Sequence, residues 1–293
     1  MAQIIKDPLL NMNTGEVFEP SEILKLELGD RVYTEKQRTF LRKQKERYED
    51  QTAFVWLNFQ YGTNFELPVD PAVAVRFLYF GTACGSTGII QKNKLMQANL
   101  DLNKNQQTAF FKQTLQSGLL RKDASVFYVN PDIISWGEYT ADSDHIRIFS
   151  GYYRMLCEAT SSQAELKRIY YILQMIPYLN RQTNILSHNQ TEQEFEHIVY
   201  MPFNEFCKKI NYSEAHCARL KGQLSAFRVN GELAVGFFDD ITELTPNGKN
   251  VILNPKLCFG GDRTVSRYKE LCALFEIEKK LYEACSADST QAK

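Results

Sequence analysis

The chain has 293 residues, of which 44% are hydrophobic and 24% charged, enough for a buried core and for two domains of ordinary size. Its net charge is −1, so no overall charge draws it to nucleic acid and any basic footprint has to be local. The seven cysteines form no CxxC pair, Lys6 and Asp7 interrupt any leader-like start, and no apolar run approaches the ~20 residues of a membrane span; a cytoplasmic protein with reduced thiols and no membrane contact is expected.

Residues 1–33 read as irregular, with a turn and a strand-like run at Asn13–Phe18. Thr34 is placed to cap a helix over 34–50, and residues 36–47 within it carry six basic side chains against Glu46 alone. This face is either a solvated surface or a nucleic-acid backbone contact. Residues 52–59, β-branched and aromatic, predict a strand. Asp70-Pro71 predicts the start of a helix that stops near Gly85. A short helix over 93–99, a tight turn and a second helix over Lys104–Gln116 follow, with Leu95, Leu102, Phe111, Leu115 and Leu119 on one face. Two strands joined near Lys122–Ser125 then run into Asn130-Pro131. Asp144 is placed to cap a long amphipathic helix over 145–159, and another carries Leu166, Ile169, Tyr170, Leu173 and Ile176 before Pro177. Residues 178–197 read as an irregular, acidic connection between domains. A helix over 202–210, a turn, a helix capped by Ser213, two strands joined through "PNG" and a last helix over 266–285 complete the chain, with a disordered tail expected after it.

The order helix, turn, helix, hairpin thus occurs twice. Phe111 and Leu115 match Leu220 and Leu224 at an offset of 109, while Asn130 matches Asn254 at 124, so the second copy holds 15 extra residues between its helix and its Asn-Pro. The expected fold is mainly α with small β-hairpin wings (α+β), as tandem winged helix-turn-helix domains. Expected divisions are an N-terminal extension 1–50, a first winged helix 51–143, a connector 144–190, a second winged helix 191–265 and a C-terminal helix 266–293. Positive charge concentrates in the two readers: residues 91–122 carry a net +5 and residues 203–228 a net +3. The second helix of such a unit fits the major groove and lysines neutralise phosphate. Candidate DNA-contacting residues are Lys104, Asn105, Gln106, Thr108, Lys112, Gln113, Arg121 and Lys122 in the first copy, and Ser213, His216, Arg219 and Lys221 in the second. The Asn-Pro itself reads as a structural corner, because proline holds the asparagine extended.

"QTAFFKQTLQSGLLRKDASVFYVNPDIISWGEY" resembles the winged-helix segment of plasmid replication initiators of Gram-positive bacteria, and "INYSEAHCARLKGQLSAFRVNG" with "VILNPKLCFGGD" resembles a more divergent copy. The resemblance spans roughly residues 70–140 and 200–262. It implies a plasmid or phage protein that binds a repeated or bipartite duplex site, in replication initiation or in regulation of the same element's genes. The helices at 34–50 and 144–176 lie outside it. An alternative is an adaptor that recruits a host replication or transcription protein through its apolar-faced helices; a homodimer is compatible with either.

Enzyme signals are weak, and no catalysis and no cofactor are expected. His216 and Arg219 with Tyr268 or Tyr282 echo a tyrosine recombinase, but the remaining members of that set cannot be assembled. His188, His197, Cys207, His216 and Cys217 lack zinc-ligand spacing, and neither GxxxxGK[ST] nor GxGxxG occurs.

Overall fold

The computed structural model describes residues 9–11, 17–18, 32–33, 54–84, 88–90, 102–124, 126–137, 144–160, 162–238, 250–261, 263 and 266–291. The expected helices over 34–50 and 93–99 and the "PNG" turn lie outside them. The chain divides into two compact units, 1–53 and 54–293. In the first, β1 (Leu9–Asn11) pairs antiparallel with both β2 (Val17–Phe18) and β3 (Val32–Tyr33).

In the second unit, β4 (Phe54–Phe59) leads to α1 (Pro71–Ala83), β5 (Ile89–Ile90), α2 (Lys104–Gln116), β6 (Leu120–Asp123), β7 (Val126–Val129) and β8 (Ile134–Ser135). Asp70 and Pro71 start α1 as the sequence predicts. Asn103 and Gln106 close a capping box at the start of α2, which satisfies two of its orphan backbone donors. β9 (Asp144–Phe149) then leads to α3 (Ser150–Glu158), α4 (Gln163–Met175), α5 (Phe203–Lys209) and α6 (Glu214–Ser225). A small hairpin, β10 (Arg228–Val229) and β11 (Glu232–Leu233), precedes β12 (Val235–Phe238), β13 (Asn250–Leu253), β14 (Cys258–Phe259) and α7 (Ser266–Gln291).

Two expectations are corrected here. Asp144 does not cap a long helix: residues 144–149 form a strand, and the helix begins only at Ser150. The alternation of half-buried His145 and Arg147 with buried Ile146 and Ile148 fits the two-residue period of a sheet, and the β-branched isoleucines favour it. The segment after Pro177 is not a linker between domains. Asn180, Thr183, Asn184 and Ser187 are buried, and the Asn180 Oδ1 accepts from Gln182 N, Thr183 N and Thr183 Oγ1. The last helix also continues past Cys285 to Gln291.

The two halves of this unit repeat one another bond for bond. Val129 N donates to Gly88 O at 2.9 Å, and Leu253 N to Asn184 O at 3.0 Å; Gly88 and Asn184 both hold left-handed backbone, φ 63° and 54°. Asn130 N donates to Leu119 O and Asn254 N to Ala234 O. Asn58 N donates to Ile133 O and Phe149 N to Leu257 O, each at 2.9 Å. The sheet order β5-β7-β6 of the first half is matched in the second by Ile185, which bridges to Ile252 of β13, and β13 in turn pairs with β12.

The halves meet in a four-stranded antiparallel sheet ordered β14-β9-β4-β8. β4 and β9 form its centre, with Trp56 opposite Arg147, and the two strands that follow the Asn-Pro corners form its edges. Trp56 and Arg147 stand in the same relation along the chain as Asn58 and Phe149, so a local twofold axis runs through their pair. This sheet takes strands from segments that the sequence reading divides at 143/144, and its edge β14 comes from beyond 190. Its buried face, including Val55, Leu57, Ile146 and Ile148, belongs to one continuous core with Phe77, Phe80 and Phe110 of the first half and Phe206, Leu220 and Leu224 of the second. Each such side chain contributes about 1.5–3 kcal/mol by leaving water.

Both corners use their asparagine the same way. Asn130 Oδ1 accepts from Asp132 N at 3.1 Å and its Nδ2 donates to Gly118 O at 3.0 Å; Asn254 Oδ1 accepts from Lys256 N at 2.9 Å and its Nδ2 donates to Leu233 O at 2.8 Å. The second corner is fully buried, and its Nδ2 also lies 3.2 Å from Tyr152 Oη and 3.2 Å from Glu232 Oε1. Asn254→Ala should therefore destabilise by about 2–3 kcal/mol and Asn130→Ala by about 1, as read by urea unfolding.

Burial pushes the thiols of Cys84 and Cys157 and the hydroxyls of Tyr61 and Tyr79 up to about 12. The unfolded chain ionises these groups from about pH 9 upward, while the folded chain keeps them neutral, so the stability they contribute is complete below that pH and lost as pH rises toward 12. The urea midpoint should be level near pH 8 and fall steadily from about pH 9 to 12.

Candidate nucleic-acid interface

α2 and α6 occupy equivalent places about the twofold axis, each between a preceding strand or bridge and a following hairpin. On α2, Phe110, Phe111 and Thr114 face the core, while Lys104, Asn105, Gln106, Thr108, Ala109, Lys112 and Gln116 are exposed. On α6, Leu220 and Leu224 are buried, and Ser213, Glu214, Ala215, His216, Ala218, Arg219 and Gly222 are exposed. Helical spacing thus separates a packing face from an outward face on each helix.

The outward faces are sparser than the sequence suggests, because the fold uses several of the candidate side chains itself. Gln106 Oε1 accepts from Asn103 N at 3.0 Å as half of the capping box, which leaves the Nε2 amide of this exposed side chain for a ligand. Gln113 is spent on a bond pair that joins α2 to the start of α1, donating to Asp70 Oδ2 at 2.7 Å and accepting from Asp70 N at 3.1 Å. Thr108 Oγ1 donates back to Lys104 O at 2.9 Å. Both side chains sit near orphan backbone donors of helix starts; Gln113 commits both ends of its amide there, Gln106 its oxygen alone. Among the described residues, Lys104, Asn105 and Lys112 remain unengaged on α2.

On α6, His216 and Arg219 are likewise unengaged and exposed. Lys221 instead lies over the Phe237 ring at 5.2 Å, so it braces the helix against β12. Ser213 makes no side-chain cap bond although it occupies the cap position. Glu214, the acid on this face, pairs with Lys208 of α5 at 2.6 Å, and that bond raises the lysine above its ordinary pKa. The pair staples the two helices and neutralises the carboxylate where an anion would approach. In the first hairpin, Arg121 and Lys122 are exposed; Arg121 lies 3.8 Å from Asp132, a loose pair of little energetic weight, and Lys122 lies 5.8 Å from the Phe127 centroid.

Sequence reasoning missed the Asp70–Gln113 link and the Lys208–Glu214 staple. Helical spacing signals neither, since both connect different helices. The capping box was legible, as Asn103 followed three residues later by Gln106.

Among the described residues, no group of three or more His, Cys, Asp or Glu side chains is placed to hold a metal ion, and no helix is long and apolar enough to cross a membrane. No protein-family model, curated protein or solved structure gives a significant match to the chain.

The division of roles on α2 is open to measurement. Gln113→Ala should lower stability by about 1 kcal/mol by removing the link to Asp70, while Lys112→Ala should leave it within about 0.5 kcal/mol, both by urea unfolding.

Proposed function

We propose that each half of the second unit is a winged helix, with α2 and α6 as the reading helices, and that the chain binds a specific bipartite duplex DNA. The carrying observation is the duplicated helix–strand–helix–hairpin order about a twofold axis, with unengaged cations, Lys104 and Lys112 on one helix and Arg219 on the other, on the equivalent outward faces. Counterion release by such cations supplies affinity. The small residues Ala109, Ala215, Ala218 and Gly222 support close approach of helix to groove, and Asn105 is able to pair with adenine. In the plasmid or phage setting that the sequence resemblance implies, the function is replication initiation or regulation of the same element's genes. No catalytic role is proposed.

A second reading is an adaptor that recruits a host replication or transcription protein. The apolar faces of α3 and α4 are consumed by the core, so this reading rests on α7, where Ile277 is 56% and Leu281 63% exposed. It predicts capture of a partner that survives nuclease treatment and is lost in Ile277→Asp.

The DNA reading is tested by selecting bound duplexes from a random-sequence pool. The recovered site should comprise two dissimilar half-sites, because α2 and α6 present different side chains. In footprinting, Lys112→Ala should weaken protection of one half and Arg219→Ala that of the other, each lowering the salt slope by about 1. Both variants binding as wild type, with an unchanged slope, would remove α2 and α6 from the interface.

A further inference from the structure

The helix pair α5–α6 brings two free thiols into contact. Cys207 of α5 and Cys217 of α6 are both free thiols, and their Sγ atoms lie 2.9 Å apart. Cys207 is fully buried and Cys217 half-buried, so reagents in solution reach the pair through Cys217. The backbone between them is already fixed: Tyr212 N donates to Cys207 O at 2.8 Å, and Asn211 turns the chain with left-handed backbone at φ 54°. A disulfide needs a separation of about 2.05 Å, so closure asks for a movement of less than about 1 Å, within reach of a rotamer adjustment. The position equivalent to Cys217 on α2 is Thr108, and the chain carries no cysteine between Cys84 and Cys157.

We propose that Cys207 and Cys217 form an oxidisable dithiol site, which a peroxide converts into a disulfide stapling α5 to α6. In the first step the Cys217 thiol attacks the peroxide oxygen; the O–O bond breaks, Cys217 becomes a sulfenic acid, and with hydrogen peroxide one water leaves. In the second, Cys207 Sγ attacks the Cys217 sulfur, the S–O bond breaks, and the hydroxyl leaves as a second water with the Cys207 proton. The peroxide gains the two electrons that the two thiols lose. Burial, with the neighbouring Cys217 thiol, holds the Cys207 thiol well above its ordinary pKa, which keeps it protonated and inert to solution oxidants until the Cys217 sulfenic acid forms beside it. The site stands independently of what α6 binds. It gives α6 a response to oxidation that α2 lacks, since α2 carries no cysteine.

The test treats the full chain with hydrogen peroxide, alkylates the remaining thiols in denaturant, digests without reductant and reads the peptides by mass spectrometry. A peptide linking Cys207 to Cys217, two hydrogens lighter than its reduced form and reversed by dithiothreitol, is expected, while Cys84, Cys157 and Cys258 stay alkylatable. The oxidised chain should melt about 5 °C or more above the reduced chain. In Cys207→Ser, oxidation should stop at a Cys217 sulfenic acid that dimedone traps. Recovery of both cysteines alkylated after peroxide, or of Cys217 linked to a different cysteine, would overturn the proposal, and the wild-type measurement stands even where the variant fails to fold.

Discussion

An asparagine followed by proline decides where each half of the second unit turns. Proline forces the preceding residue out of helical backbone, which leaves its amide side chain beside the chain's own next turn. At Asn130 and Asn254 that amide accepts from the backbone two residues on and donates to a carbonyl before the hairpin. The hairpin is thereby closed at its base, and the chain leaves it toward β8 or β14. Those strands are the two edges of the sheet that joins the halves, so the corners set both the hairpins and the seam. An apolar residue at either corner would leave backbone groups unpaired, and in the second corner they would be buried as well.

The fifteen additional residues of the second half separate into two insertions with different places in the fold. Gly118 and Asn130 are 12 residues apart and their counterparts Leu233 and Asn254 are 21 apart, so nine of the fifteen lie between Leu233 and the Asn-Pro corner. The other six fall between α6 and Leu233, where β10 and β11 turn through Asn230 and Gly231 at φ 50° and 80°. Positive φ at both central residues is the tight turn whose twist suits a hairpin. This hairpin holds α7 in place. Arg228 Nη1 donates to Glu278 Oε2 at 2.7 Å and its Nη2 to Glu278 Oε1 at 2.5 Å, while the guanidinium lies 3.9 Å from the Tyr282 centroid. α7 in turn covers Phe238, Ile252 and Phe259 with Tyr268, Leu271 and Phe275. The equivalent strand positions in the first half carry half-buried Tyr128 and Ser135 in place of Ile252 and Phe259, which need no such cover. Duplication and divergence are thus visible in one comparison: the half that kept an apolar outer surface acquired the hairpin and the helix that bury it.

Much of this was legible in the sequence wherever a local rule acts alone. The bounds of α2 follow from the tight turn before Lys104, the apolar spacing of Phe111, Leu115 and Leu119, and Gly118; the paired Asn-Pro segments disclosed the repeat. The failures arise where tertiary partners choose between two locally acceptable readings. His145 to Phe149 carries enough apolar residues for a helix behind Asp144, and only pairing with β4 on one side and β14 on the other selects a strand. Residues 180–187 look like a polar loop because their asparagines and threonine are counted as surface residues. In the fold Asn180 Oδ1 gathers donors from Gln182 and Thr183, and Asn184 Nδ2 donates to Leu253 O of β13 and Cys258 O of β14 inside the core. The same cause draws Gln113 into the fold: its amide is a base reader by chemistry, yet both of its ends bond Asp70 at the start of α1.

What remains on the two outward helices bears on how one chain would address DNA under the proposed reading. A homodimer about a true twofold axis presents identical readers and selects a palindrome. Here the axis lies within one chain, through Trp56 and Arg147, and the readers have diverged. Lys104, Asn105 and Lys112 stand on one side; His216 and Arg219, with Glu214 neutralised by Lys208, stand on the other. The twofold arrangement of α2 and α6 is retained while the identity of their outward side chains is lost, so under the proposed reading a single copy would bind a site with a direction, which a palindrome cannot encode.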